Sequence, residues 1–371
     1  MAGGFRNDST GSARADSRTP AIASATILIH PTNAGAWSSR GAFYLAKGEF
    51  DKCISDCGEA IRLDPNEATG WQNRGVAHAL KGELDAGIGD LNEAIRLDPN
   101  DASAYLNRGH ATMQIMDLDQ AISDYTTALR LGAAEKEIYP HRADAYAWKG
   151  DWDRAIGDYN QAIRLQPDDS ENYSSRAGVY VFKGDFQREI SDYSQAILLN
   201  PKDVDAYNFR GLLYSAKHDF DHAVSDFTTI LKFDSTNTDA YANRMKVYLL
   251  KGDFQNAADD GWSIVRIHPD DAHRCTDLAA LLATCPEASV RNGKQALVFA
   301  THACELTEWK LPNCLVTLAA AYAESGDFAQ AVKYQQQVLD MGPWTDSERK
   351  QIQDPLDLYR QGKPYHTAPS Q

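Results

Sequence analysis

The chain has 371 residues, 43% hydrophobic and 24% charged, and 52 Asp+Glu against 37 Lys+Arg set a formal charge of −15. That apolar content excludes wholesale disorder, no run approaches the roughly 18 apolar residues of a membrane helix, and the acidic balance argues against a nucleic-acid binder. Six cysteines without a CxxC pair form no disulfide framework and read as buried thiols in a reducing compartment.

In chain order, residues 1–20 read as a disordered segment without the apolar core of a secretory signal. A cytoplasmic location is therefore expected, with export left open. Residues 21–33 look like the second half of a helical repeat serving as an N-terminal cap, with Pro31 at its end. From residue 34 the chain is periodic. AGAWSSRGAFYLAKGEFDKCISDCGEAIRLDPNE (34–67) and ATGWQNRGVAHALKGELDAGIGDLNEAIRLDPND (68–101) align without a gap, and the frame continues through 102–135, 136–169, 170–203, 204–237 and 238–271.

Each repeat decodes as two helices. The fourth position is Trp or Tyr in all seven repeats, the eighth is Gly or Ala in six and Met245 in the last, and the eleventh is often Tyr. These spacings share one helical face. A Gly at the fifteenth position (Gly48, Gly82, Gly150, Gly184, Gly252) ends the first helix, where a left-handed cap favours glycine. A second helix with small residues at positions 20 and 27 stops at a proline at position 32, and an Asn or Asp beyond it suits the next N-cap. One such hairpin cannot bury its apolar face alone, so stacking is required.

This pattern resembles the tetratricopeptide repeat (TPR), a 34-residue helical hairpin. The resemblance implies an all-α, right-handed superhelical solenoid of about nine repeats: seven regular ones over 34–271 and two divergent ones over 272–345. A capping helix and tail follow over 346–371. The long eighth copy contains Pro286 and Arg291-Asn292-Gly293. The ninth returns to period with Ala319, Tyr322, Gly326, Ala331 and Pro343. Its surroundings are similar to the C-terminal arrays of bacterial TPR proteins.

Two columns exceed what packing needs. Position 7 is always Arg (Arg40, Arg74, Arg108, Arg142, Arg176, Arg210, Arg244), and position 23 is always Asp (Asp56, Asp90, Asp124, Asp158, Asp192, Asp226, Asp260). In a hairpin turning near position 15 these two positions face each other, which predicts one Arg–Asp rung per repeat. The rung serves either as a register device or as a charged binding stripe, and its place inside the hairpin favours the former.

The resemblance further implies a concave groove lined by positions 2, 5, 6, 9, 12 and 13 of the first helices. Position 6 reads Ser39, Asn73, Asn107, His141, Ser175, Phe209 and Asn243. In superhelical relatives an asparagine ladder there grips peptide backbone, because a carboxamide both donates and accepts; here the ladder is partial. Further groove candidates are His110, Asp144, Trp148, Phe182, Leu212, Lys246 and Leu250. Trp148 and Phe182 share a column in adjacent repeats, either as an exposed apolar patch or as packing against the next repeat. Glu137, Glu171, Asp205 and Asp239 form an acidic run at position 2, suiting a basic ligand or simply complementing the helix dipole. The carboxylate clamp of chaperone-binding TPRs is absent: its positions hold Ser38 with Ala42, Gln72 with Val76 and Glu171 with Ser175.

Nucleotide-binding, nucleophile-elbow and zinc-protease motifs are missing, so no enzyme activity, cofactor or metal is expected. His218 and His222 lie one turn apart without a third ligand and are expected to face solvent. Glu189 replaces a small residue at position 20, either as a hinge or contact point or as a tolerated departure whose carboxylate reaches water, and the latter is expected. The expected function is a protein-interaction scaffold that holds an extended peptide or a partner helix, with self-association as the alternative and an enzyme accessory subunit further behind.

Overall fold

The computed structural model describes residues 19–367, and among them there are 20 helices and no strand. Contacts divide the chain after Leu199 into two compact bodies, a division that the uninterrupted 34-residue period does not mark. The N-terminal body holds α1 (Thr19–Ile29) and five hairpins: α2 (Ala34–Ala46) with α3 (Phe50–Leu63), α4 (Ala68–Leu80) with α5 (Leu84–Leu97), α6 (Ala102–Gln114) with α7 (Leu118–Arg130), α8 (Glu135–Lys149) with α9 (Trp152–Leu165), and α10 (Ser170–Lys183) with α11 (Phe186–Leu199). The C-terminal body holds α12 (Val204–Ala216) with α13 (Phe220–Phe233), α14 (Thr238–Lys251) with α15 (Phe254–Ile267), α16 (Ala272–Thr284) with α17 (Gly293–Leu306), and α18 (Pro312–Glu324) with α19 (Phe328–Asp340). α20 (Asp346–Arg360) closes it. Within each body every helix packs on its chain neighbours. Thr19 and Pro20 already belong to α1; the remainder of the segment expected to be disordered lies outside the described residues.

Local chemistry sets the boundaries. The chain takes a left-handed conformation at position 15, with φ between 66° and 83° at Gly48, Gly82, Gly150, Gly184 and Gly252. Met116 and His218 occupy the same column at φ 61°, so the hairpin turn is imposed even where glycine is missing. Where an aspartate caps the next helix its side chain accepts a backbone N–H, as Asp117, Asp151, Asp219 and Asp253 do, whereas Glu49 and Glu83 at the same column make no such bond.

All seven Arg–Asp pairs are bidentate. Nε and Nη2 of Arg108 donate to Asp124 at 2.8 and 2.6 Å, and those of Arg74 donate to Asp90 at 2.7 and 2.8 Å. The same fork joins Arg40 to Asp56, Arg142 to Asp158, Arg176 to Asp192, Arg210 to Asp226 and Arg244 to Asp260. The aspartates are buried. Each guanidinium also lies over the position-4 ring of its own helix, 4.9 Å from the centroid of Trp37 and Trp71, which adds a cation–π contact. The remaining nitrogen reaches back one repeat: Nη1 donates to Asn92 from Arg108, to Thr126 from Arg142, to Asn160 from Arg176 and to Thr228 from Arg244. In these four repeats the rung therefore closes its own hairpin and ties it to the preceding one.

Core packing is a size exchange between positions 8 and 24. A Cβ added at Gly109 would sit 2.8 Å from the Tyr125 ring, and one at Gly211 would sit 2.9 Å from the Phe227 ring. In the repeat 238–271 the sizes are reversed, with Met245 at position 8 and Gly261 at position 24. A Cβ at Gly261 would meet Leu278 at 3.0 Å and Met245 at 3.7 Å. Gly261→Phe is expected to destabilise the C-terminal body by about 1–3 kcal/mol through overpacking. Adding Met245→Gly should return part of that loss in a urea titration; a double variant no more stable than the single would refute the exchange.

Glu189 corrects an expectation. Its side chain does not reach water: the residue is 2% exposed, and Oε2 has no hydrogen-bond partner. Position 20 faces into the hairpin, and the glutamate side chain on α11 is too short to leave it. Burial raises its pKa to about 7.

Lys–Asp pairs, which the column reading did not register, run along the outside. Lys81 meets Asp51 at 2.8 Å and Lys251 meets Asp221 at 2.5 Å, while Lys149 pairs with Asp119 and Lys183 with Asp153. They are exposed, so each contributes roughly 0–1 kcal/mol. At the C-terminal end, α20 buries Ile352, Leu356 and Tyr359, and the fully buried Gln335 donates Nε2 to Ile352 O at 2.9 Å.

Candidate functional site

First helices position the candidate residues, and the two bodies differ in what they present. In the N-terminal body, positions 9 and 6 of successive repeats meet. His110 of α6 and His141 of α8 pack edge to face with ring centroids 4.6 Å apart, over Tyr125, whose ring is 5.6 Å from His110. Burial, with His141 close by, lowers the His110 pKa to about 3, so this imidazole is neutral at pH 7. One repeat on, the Tyr159 hydroxyl donates to Asp144 Oδ1. Burial raises the Asp144 pKa to about 6, against the Tyr159 hydrogen bond, and Glu171 of α10 adds to the rise. Trp148, one turn beyond Asp144, is exposed, as are Val181 and Phe182.

Phe182 is exposed and also packed, but backward rather than against the next repeat. One ring face stacks on Trp152 of the preceding repeat, with centroids 4.4 Å apart and planes 2° from parallel, while the residue stays 66% exposed. The apolar surface therefore contains Trp152 as well, which the sequence reading had not included. The asparagines separate. Asn107 is buried, and Asn73 is half-buried with Nδ2 lacking a partner.

In the C-terminal body Asn243 Nδ2 donates to Asn208 Oδ1 at 2.9 Å, joining positions 6 and 5 of adjacent repeats. This amide pair borders a cleft of about 760 Å³ across the first helices α12, α14 and α16. Leu249, Leu278 and Leu281 line its apolar part; Asp239, Lys246, Arg274 and Asp277 supply charges of both signs. Burial raises the Asp277 pKa against the opposing charges of His273 and Arg274. Phe209 is exposed on α12, and Lys246 is exposed on α14. Arg274 and Asp277, at positions 3 and 6 of the eighth copy, and Asn208, at position 5 of its own, are not among the candidates named from the sequence; the frame sets Asn208 and Asp277 in groove columns, but only the cleft singles them out.

One side of the cleft is bordered by a short strap, the segment after α20. Thr367, which lines it, donates its N–H and Oγ1 to Thr284 O at the end of α16, at 2.8 and 3.0 Å. The preceding His366 bonds Glu324 at 2.7 Å, and Glu324 also accepts from Arg291 Nε at 2.9 Å. The Arg291-Asn292-Gly293 loop thus anchors the strap: Arg291 also donates to the carbonyls of Cys285 and Pro286.

His222 is held by Asp219 at 2.8 Å, and His218 lies edge-on to Phe220. Among the described residues no three His, Cys, Asp or Glu side chains gather as a metal site, and no helix is long and apolar enough to cross a membrane. The six cysteines are buried and free, with Cys53 and Cys57 3.8 Å apart at sulfur.

Family models described as tetratricopeptide repeat match residues 34–67, 139–169 and 312–343, and one described as TPR repeat matches 78–115. The C-terminal part of a TPR repeat-containing protein from Cytophaga hutchinsonii is similar in fold, at a TM-score of 0.57 and 14% identity over 64% of this chain and 97% of that one. MamA is 26% identical over 43% of this chain and 92% of its own, with a TM-score of 0.41. A tetratricopeptide repeat protein from Parabacteroides merdae is 17% identical over 70% and 98%, with a TM-score of 0.44. No curated protein matches the chain.

Proposed function

The chain is a tetratricopeptide-repeat protein, and from that premise we propose that it is a non-enzymatic scaffold whose first-helix faces hold an extended segment of a partner protein. The cleft in the C-terminal body carries this reading. It is a preformed concavity of about 760 Å³ with an apolar lining and a few polar groups at its edge, the combination typical of sites that bury a ligand side chain. The amide pair of Asn208 and Asn243 leaves donor and acceptor capacity for peptide backbone, since each carboxamide offers two donors and an acceptor with two lone pairs. The strap supports the same use: Thr367 of this chain already bonds its backbone N–H to the Thr284 carbonyl at the end of α16.

A displayed library of random peptides, selected on the full chain, tests the proposal. Selected peptides should lose at least about tenfold in affinity on an Asn243→Ala, Lys246→Ala double variant, with helix content by circular dichroism unchanged. Peptides that bind wild type and variant equally would remove the cleft from the reading. A stable oligomer by light scattering that shields the cleft from every peptide would favour self-association instead.

A further inference from the structure

We infer that the inner face of the N-terminal body is a second, chemically distinct docking surface, built for an extended segment rich in arginine. The inference rests on the scaffold reading above and adds the chemistry of one occupant.

Charge on this face has a single sign. Over residues 34–199 the inner-face positions hold Glu137, Asp144 and Glu171 and neither Lys nor Arg. Asp144 and Glu171 are close enough for Glu171 to disfavour ionisation of Asp144. The nearby lysines are turned to the outside: Lys149 is held by Asp119 and Lys183 by Asp153, both at the start of second helices. An arriving cation therefore meets these carboxylates on a face whose own positions carry no Lys or Arg.

The apolar part of the face singles out arginine among cations. Trp148 and Phe182 are 58% and 66% exposed, and Val181 is 45% exposed beside them. Asp144 and Trp148 are four residues apart on α8, while Glu171, Ser175, Gly178 and Phe182 follow one face of α10. Nothing lies within 4 Å of a Cβ built at Gly178, which leaves room between carboxylate and ring. A guanidinium stacks on an aromatic face while donating to a carboxylate, whereas an ammonium is a compact, strongly hydrated charge. The chain uses this pairing internally, since its own Arg142 lies over Tyr139 and Tyr146 while bonding Asp158.

The test uses the full chain and three fluorescein-labelled eight-residue peptides in which alanine alternates with arginine, lysine or glutamate, followed by anisotropy. The arginine peptide should bind, the lysine peptide should bind several-fold more weakly, and the glutamate peptide should not bind. Affinity should fall with added salt, as expected for opposed charges. Trp148→Ala with Phe182→Ala should weaken the arginine peptide by about tenfold or more, and Glu137→Gln with Glu171→Gln should do the same. Asp85→Asn with Glu93→Gln removes equal charge from second helices and should leave affinity within about twofold. Equal loss in that control would show non-specific attraction to an acidic protein and overturn the inference. So would equal binding of arginine and lysine peptides, or indifference to the aromatic double variant. Library peptides selected through the C-terminal cleft give the independent arm: if they still bind while the arginine peptide does not, this inference fails and the scaffold reading stands.

Discussion

Asp124→Ala is expected to destabilise the N-terminal body by about 3–5 kcal/mol, because it leaves a largely buried guanidinium without its counter-charge. Asp124 is 1% exposed and accepts from Nε and Nη2 of Arg108 and from Nε2 of Gln120. Losing it also strands a group that ties the hairpin to Asn92 of the preceding repeat. The effect should therefore spread beyond one hairpin, and hydrogen exchange should show faster amides in α5, α6 and α7 together. An Arg108→Met, Asp124→Leu pair should recover part of the loss, since apolar replacement of a buried ion pair removes its desolvation cost. Exchange unchanged outside α6 and α7 would mean that the rung does not join repeats.

Glu189→Ala should act in the opposite direction. It removes a buried carboxyl with an unpartnered oxygen and installs the residue that other repeats carry at position 20, as at Ala121, Ala155 and Ala223. The expected gain is about 1–3 kcal/mol at pH 8. Its pH dependence has a definite sign. Because the folded pKa is raised to about 7 from 4.5, the folded chain holds the proton more tightly than the unfolded one. The group's stabilising contribution is therefore complete below about pH 4.5 and is lost as pH rises through 7. The advantage of Glu189→Ala over wild type should be widest at pH 8 and narrowest near pH 4.5, read as the difference in urea midpoint. His110 and Asp144 titrate in both proteins and cancel in that difference. A gain that did not vary with pH would assign Glu189 a charge-independent role.

Both variants show how much of the molecule is legible along the chain. Arg108 and Asp124 stand in columns, and helix geometry alone places positions 7 and 23 across a hairpin that turns at position 15. The turn and the small-to-large packing of Gly109 against Tyr125 follow from the same periodic logic. Glu189 was visible as a departure, but its direction was not, because a carboxylate reaches water or stays buried according to neighbours that one column does not name. The groove candidates divide similarly. The meeting of His110 with His141 follows from adjacent columns, whereas Asn208 at position 5 of its copy and Arg274 and Asp277 at the start of the eighth copy gain their importance only from the cleft that brings them together.

The period of 34, two helices per repeat, the turn, the caps and the arginine rungs are properties of local order: each depends on residues within one hairpin or its immediate neighbour, so recurrence along the chain specifies them. Folding supplied what depends on contacts without a period: the inversion of sizes at Met245 and Gly261, the burial of Glu189, the Trp152–Phe182 stack, and the strap that brings Thr367 to Thr284. Those features arise where side chains from different repeats compete for the same space or the same proton, and that competition is resolved in three dimensions.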